Sequence, residues 1–252
     1  MNELLIAEKL VKSFPRPGGG RDMAVAEVSF AIASGEALGL VGESGSGKST
    51  VAGLVTRLIE PDRGRIILAG EDITGARGRR LRRGAYRKMQ MVFQNPLASF
   101  NPRRTLGSSI AEPLLNQGHS KKEAAAKVCA LLEECGLPGG CARKYPHEVS
   151  GGQCQRAAIA RALAVGPELL ICDEATSALD VTLQARIMEL LGRLKKRGLS
   201  FLFICHNLAL VQDFCDRTAV MQAGRIVEQG RTADILASPA HEYTQRLIEA
   251  AL

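Results

Sequence analysis

The sequence predicts an α/β fold built on a mostly parallel central sheet. Three observations carry this: short apolar runs alternate with helical periodicities; one run, Ala37-Leu38-Gly39-Leu40-Val41, leads into a glycine-rich turn; and another, Leu169-Leu170-Ile171-Cys172, ends in the acidic pair Asp173-Glu174. Strands alternating with helices pair in parallel, and ligands then gather beyond the carboxyl ends of the strands.

Taken in order, Leu4 to Lys9 and Ala26 to Ala33 read as strands around the turn chemistry of Pro15-Arg16-Pro17-Gly18-Gly19-Gly20-Arg21. Phe14 stands just before that turn. An aromatic there either stacks on a flat ligand ring or belongs to the core, and the residues alone leave both open. Val51 to Val55 continues the glycine-rich turn as a helix, and Arg65 to Leu68 is a strand closed by a turn at Gly70. The basic run Arg77, Arg79, Arg80, Arg82, Arg83, Arg87 and Lys88 has only Tyr86 as an interleaved aromatic. That suits a solvated helix face better than a platform for stacking nucleic-acid bases.

Met89 to Phe93 reads as a strand ending at Gln94, and Asn95 to Leu106 as a loop rich in Asn, Pro and Arg. Ser108 to Leu115 and Lys121 to Cys135 read as helices, the second with Ala124, Val128, Leu131, Leu132 and Cys135 on one face. A helix runs from Ser150 through Ala164, then the strand to Asp173, then a helix from Leu183 to Arg197. The strand Leu199 to Cys205 ends at His206, before a helix from Leu208 to Phe214. Ala219 to Gln222 and Arg225 to Glu228 meet at the turn Ala223-Gly224; helices from Ala233 to Leu236 and Tyr243 to Ala251 close the chain.

With 252 residues and 46% apolar content, the chain can bury the core of one large or two small domains. No apolar run approaches the roughly 18 residues of a membrane span. The start, Met1 to Glu8, is acidic and too short in its apolar part for a secretory signal. Seven cysteines without a disulfide framework point to a reducing cytosol. Cys129, Cys135 and Cys141, six apart, do not have zinc-ligand spacing. The net charge of +7 permits contact with nucleic acid or anionic lipid without demanding it.

The chemistry concentrates in Gly42-Glu43-Ser44-Gly45-Ser46-Gly47-Lys48-Ser49-Thr50, which fits the phosphate-loop pattern G-x-x-x-x-G-K-[ST]. Its glycines let successive N–H groups turn toward phosphate oxygens, and the helix behind adds its positive end. Lys48 is placed to reach the β- and γ-phosphates, and the Ser49 hydroxyl to bind Mg²⁺. Asp173 fits the second requirement of such sites, an acid carried to the metal on an apolar strand. Glu174, one residue on, is placed to polarise an attacking water.

Val149-Ser150-Gly151-Gly152-Gln153 makes a resemblance specific. Ser150 and the N–H groups of Gly151 and Gly152 at a helix start form a second anion site. Together with the phosphate loop and the acidic pair, these residues resemble the ATP-binding cassette (ABC) ATPases, whose signature is LSGGQ. The resemblance implies a P-loop NTPase of ABC type: a RecA-like core (1–94 and 160–231) with an N-terminal antiparallel β part, an inserted helical signature subdomain (95–159), and a helical tail (232–252). It implies ATP and Mg²⁺ as ligands, with Ser49, Gln94 and Asp173 toward the metal. Glu174, Gln94 (the Q-loop) and His206 (the switch histidine) take catalytic roles, and Phe14 stacks on adenine. Ser150, Gly151, Gly152 and Gln153, with Asp180 of the D-loop Ser177-Ala178-Leu179-Asp180, serve the ATP held by an opposite subunit in a head-to-tail sandwich dimer.

A finer similarity lies in Gly39 to Gly47, in Val92 to Pro102, in Tyr145-Pro146-His147-Glu148 and in the tail His241-Glu242-Tyr243-Thr244-Gln245. These are similar to ATPase subunits of dipeptide, oligopeptide and nickel importers. The similarity implies two transmembrane permease subunits, a second ATPase subunit (a sister or a copy of this chain) and an extracytoplasmic solute-binding protein. It also implies a peripheral position on the cytoplasmic face of the inner membrane, with Asn95 to Arg104 as the candidate contact to the permeases. Nucleic acid is not an expected partner. Ala175, Asn207 and Cys154 depart from the family pattern without removing a catalytic group. Two other ABC roles compete: a soluble partner of a metabolic enzyme complex of the phosphonate-breakdown type, and a nucleic-acid-directed ATPase. The second usually has paired cassettes or a coiled-coil insert, which this chain lacks.

Overall fold

Two sheets divide the strands between them. The computed structural model describes residues 3–16, 18–75, 79–175 and 180–250, the stretch 79–83 by its backbone alone. The chain begins with the hairpin β1 (Glu3–Pro15) and β2 (Arg21–Ala33), then β3 (Ala37–Val41), α1 (Lys48–Val55), β4 (Arg63–Leu68) and β5 (Glu71–Asp72). There follow α2 (Arg79–Lys88), β6 (Met89–Val92), α3 (Leu106–Asn116), α4 (Lys121–Glu134), α5 (Gly151–Leu163) and β7 (Leu169–Asp173). The last part comprises α6 (Val181–Lys196), β8 (Ser200–Ile204), α7 (Leu208–Phe214), β9 (Arg217–Gln222), β10 (Arg225–Arg231), α8 (Thr232–Ala237) and α9 (Glu242–Glu249).

The first sheet is antiparallel, in the order β2-β1-β4-β5. Its hairpin is longer than the apolar patterning predicts. Pairing continues through Phe14↔Asp22 and Pro15↔Arg21, and the Arg16 N–H donates to the Gly20 carbonyl at 3.1 Å. Backbone pairing there overrides the turn-forming composition, so Phe14 is a strand residue. β5 is only two residues long and escapes any periodicity; the turn at Ala69-Gly70, both with positive φ, folds it back on β4.

The second sheet runs β10-β9-β3-β8-β7-β6, parallel from β9 to β6, with β10 antiparallel at the edge. Its central strands are buried at every position and almost wholly apolar because both faces are covered. Alternation sorts the side chains: Leu170, Cys172, Phe201 and Phe203 face the helices, while Leu169, Ile171, Leu202 and Ile204 face the core shared with α1 and the antiparallel sheet. A Cβ on Gly39 would lie 2.9 Å from Val211 Cγ1, so its missing side chain lets α7 close on β3. Helices α3, α4 and α5 pack on one another around Leu106, Ile110, Val128 and Leu132. Ser120 and Glu123 start α4 with a reciprocal capping box.

Candidate active site

The carboxyl end of β3 opens into the loop that begins at Gly42. Gly42 (φ 149°) and Gly47 (φ 104°) are required twice over, by conformation and by space. A Cβ on Gly42 would stand 2.1 Å from the Met221 carbonyl oxygen, and one on Gly47 2.3 Å from that of Ala24. Strands β9 and β2 therefore press the loop from behind. Among the described residues, no acceptor takes the N–H groups of Ser44, Gly45, Gly47, Lys48, Ser49 or Thr50. Helix α1 has no side-chain N-cap and no acid in its first turn. A turn of unclaimed donors at a helix N-terminus is a cradle for a polyanion, and it fits a nucleotide's phosphates.

Lys48 is buried, and its Nζ donates to the carbonyls of Gly42 and Glu43 (2.7 Å each) and to Ser46 Oγ (3.3 Å). Burial lowers its pKa, opposed by the carboxylates of Glu174 and Asp173. The ammonium thus lies against the loop's own oxygens, within reach of an incoming phosphate. Ser49 Oγ donates to Asp173 Oδ1 at 3.1 Å, joining α1 to the end of β7. Burial raises the pKa of Asp173; the Ser49 hydroxyl opposes that shift and the Glu174 carboxylate adds to it. A bound divalent cation would reverse this, favouring the carboxylate.

Gln94 follows β6, the neighbour of β7, and its Nε2 donates to Glu174 Oε2 at 2.7 Å. The Gln94 amide oxygen is left as a ligand atom. With Ser49 and Asp173 it supplies the hard oxygen donors that Mg²⁺ takes alongside substrate phosphates. A cleft opens between Ser49 and Asp173 on one side and Gln94 and Asn95 on the other. Glu174 holds a φ of 47°, uncommon for a non-glycine residue, and its N–H donates to the Ile204 carbonyl at 3.0 Å. That bond links the ends of β7 and β8, so His206 arrives beside Glu174, with Nδ1 3.8 Å from Oε1. Just before it, burial pushes the Cys205 thiol up to about 12. Lys48, Ser49, Gln94, Asp173, Glu174 and His206 thus converge at the carboxyl ends of the strands.

Other candidates lie apart from this cluster. Among the described residues, no hydrogen bond joins Ser150, Gly151, Gly152 or Gln153 to the loop 42–50. Ser150 caps α5 in a box with Gln153: the Gln153 N–H donates to Ser150 Oγ (3.3 Å) and the Ser150 N–H to Gln153 Oε1 (3.0 Å). A Cβ on Gly152 would meet Leu183 Cδ1 at 2.7 Å, so this glycine also serves the packing of α5 on α6. Asp180 caps α6, accepting the Leu183 N–H at 2.9 Å. Ser177, Ala178 and Leu179 of the D-loop lie outside the described residues, as does Arg77 of the basic run. Phe14 is 38% exposed on the hairpin, with Lys12 Nζ 5.6 Å from its ring centre.

Two of the three departures have structural explanations, and nothing in the structure explains Ala175. Asn207 accepts the N–H groups of Ala209 and Leu210 as the N-cap of α7, a role asparagine fills as well as aspartate. Cys154 is fully buried among the helices, where a basic residue would be costly. All seven cysteines are free thiols. Two contacts were not foreseen. Arg161 of α5 lies 4.3 Å over the Phe100 ring and donates to Ser99 Oγ at 3.0 Å, tying the segment after Gln94 to the helix that Ser150 caps. Tyr243 of α9 accepts the Glu43 N–H at 2.9 Å, from 200 residues away. The motif around Tyr243 was visible, but nothing local announces its partner.

Comparison with known proteins shows the family. The family model described as ABC transporter matches residues 25–177. The chain is 47% identical over 249 residues to a putative peptide import ATP-binding protein of Brucella abortus, covering 96% of this chain and 75% of the relative. It is 45% identical over 253 residues to the oligopeptide transport ATP-binding protein of Bacillus subtilis, covering 99% and 83%. Among solved structures, a dimeric ATP-binding cassette bound to ADP and phosphate matches with a TM-score of 0.83 at 27% identity, over 90% of this chain and 98% of that one. A Clostridium perfringens cassette, part of an ABC transporter complex, matches with a TM-score of 0.81 at 26% identity, over 100% and 96%.

Proposed function

The chain belongs to the ABC transporter family as one of its ATPases, and from that premise we propose that it energises an importer of di- or oligopeptides, or of nickel. The observation that supports the reading best is the convergence of Ser49, Asp173, Gln94 and Glu174 at the mouth of the phosphate cradle. Relatives named as peptide import proteins favour peptides over nickel as cargo.

The chemistry follows from the side chains. Lys48 leaves the carbonyls of Gly42 and Glu43 for the phosphates, and the loop N–H groups hold the same oxygens in line. Ser49, Asp173 and the Gln94 amide oxygen would hold Mg²⁺, which would supply positive charge against the negative charge developing on the phosphates. Glu174 accepts a proton from the attacking water, Gln94 aims its carboxylate, and His206 adds a contact to the γ-phosphate. Phe14 stacks on adenine. The Ser150–Gln153 segment and Asp180 of an opposing subunit complete each site in a head-to-tail sandwich dimer.

The stretch 95–159 acts as the helical signature subdomain, inserted in a core formed by 1–94 and 160–231 and followed by the tail 232–252. The segment Asn95 to Arg104 receives two permease subunits, with Leu97 exposed and Arg161 linking it to the signature helix. No helix among the described residues is long and apolar enough to cross a membrane. The permeases bring this ATPase to the cytoplasmic face. An extracytoplasmic solute-binding protein delivers cargo. Uptake of labelled nickel, a dipeptide and an oligopeptide by cells with and without the gene tests the reading. Loss of peptide uptake is expected; unchanged uptake of all three, with no co-purifying permeases, would remove the transport role.

A further inference from the structure

Residue 43 is held at both ends of its backbone. Its carbonyl accepts Lys48 Nζ at 2.7 Å, and its N–H donates to Tyr243 Oη at 2.9 Å. The first contact involves the lysine that a phosphate would draw away. The second comes from the C-terminal helix and does not compete with phosphate.

The seat of that helix is itself specified. Glu228, on the edge strand β10, accepts the N–H groups of Ala240 (2.9 Å) and His241 (3.1 Å). Burial would raise the Glu228 pKa, but its hydrogen bonds outweigh that and hold it below the ordinary value. His241 Nδ1 accepts the Tyr243 N–H at 3.1 Å as the N-cap of α9, and Gln245 donates back to the Pro239 carbonyl at 3.1 Å. Tyr243 is 4% exposed, so its hydroxyl is presented to the loop from a packed ring. Helix packing alone asks only for the ring; the hydroxyl is needed for the loop.

We propose that Tyr243 is a positioning residue for the phosphate loop, so that the C-terminal tail sets the nucleotide affinity of the site. When Lys48 moves to phosphate, the Glu43 carbonyl loses its cation and Tyr243 keeps the N–H side fixed. The loop then meets its ligand preorganised rather than ordering at the moment of binding. This rests on the loop being the ATP site.

The test is Tyr243→Phe in the full chain, which keeps the ring and deletes the acceptor. Calorimetry should give about tenfold weaker Mg·ADP and Mg·ATP binding, the scale of leaving one N–H without its partner. Amide exchange at Glu43 should quicken while exchange in β3 and β8 stays slow. Glu228→Ala, which loosens the seat from outside the loop, should weaken nucleotide in the same direction, and the double variant should lose less than the product of the two. Unchanged affinity and unchanged Glu43 exchange in Tyr243→Phe would overturn the proposal, as would a lowered melting temperature with both unchanged. If wild type bound no nucleotide, the ATPase reading would fail instead.

Discussion

Gln94 and Glu174 are 80 residues apart in sequence and 2.7 Å apart in space, amide to carboxylate. The bond crosses between the ends of the neighbouring strands β6 and β7. The Glu174 carboxylate is thereby aimed by a residue whose following segment is gripped by Arg161. Displacement of that segment is therefore felt by Glu174, the base proposed above.

Glu174→Gln keeps the size of the side chain but removes its basicity. ATP binding is expected within about threefold of wild type, because the cradle's donors are untouched, while turnover falls by about 10²–10⁴. Closed dimer should accumulate in ATP and be seen by size-exclusion chromatography. Hydrolysis near the wild-type rate would remove Glu174 as the base.

Lys48→Ala deletes the cation that the loop carbonyls hold ready. Loss of its charge-assisted bonds to phosphate should weaken Mg·ATP by about a hundredfold or more. Equilibrium binding decides this, and unchanged affinity would contradict the phosphate-loop assignment.

At Ser150 the cap and the ligand role can be separated. Ser150→Arg is expected to leave ATP binding by a single chain intact and to block hydrolysis in the dimer, with about 1 kcal/mol lost with the cap. Ser150→Asp keeps a capping oxygen but sets a negative charge where phosphate belongs. It should melt near wild type and still be inactive. An active Asp variant would show that the signature does not act on nucleotide.

Asp62 supplies a pH-dependent test outside the site. The Ser13 N–H and hydroxyl, with Lys12, hold its pKa at about 2 against an ordinary 3.8. The folded value lies below the unfolded one, so the stabilisation is complete above the ordinary value and is lost as pH falls through about 2. With the carboxylate 32% exposed, solvent screening limits it to at most about 1 kcal/mol. Asp62→Asn should be less stable than wild type at pH 7, and the gap should close toward pH 2. A gap that persists unchanged at pH 2 would rule out the charge as its source.

The acids, Gln94 and His206 of the candidate cluster were legible because each sits at or just past the end of an apolar strand, where local pattern and chemistry coincide. Asp173 ends β7 and Glu174 follows it, Gln94 follows β6, and His206 follows β8. What stayed hidden depends on the third dimension. Gly152 reads as a signature glycine, yet its lack of a side chain also admits Leu183 from the next helix. Asp180 reads as a ligand residue and is also an N-cap. Pro15 and the glycines after it read as a loop, although strand pairing reaches Pro15. Tyr243 carries a recognisable motif, but no periodicity connects residue 243 to residue 43.

The Glu43–Tyr243 bond also has a consequence for how the protein is made. Strand β3 has β8 and β9 as its two neighbours, and the loop after it takes its acceptor from α9. On the ribosome, residue 43 emerges 200 residues ahead of its partner, roughly 10–40 s at ordinary elongation rates. For most of that interval β3 lacks both of its pairing partners, because β8 and β9 follow only at residues 200–222. The nucleotide pocket is therefore among the last parts of the molecule to be finished. A ribosome-bound chain arrested at residue 230 is expected to bind ATP more weakly than one extended far enough for residue 250 to clear the exit tunnel; equal binding by the two would show that the pocket closes without its tail.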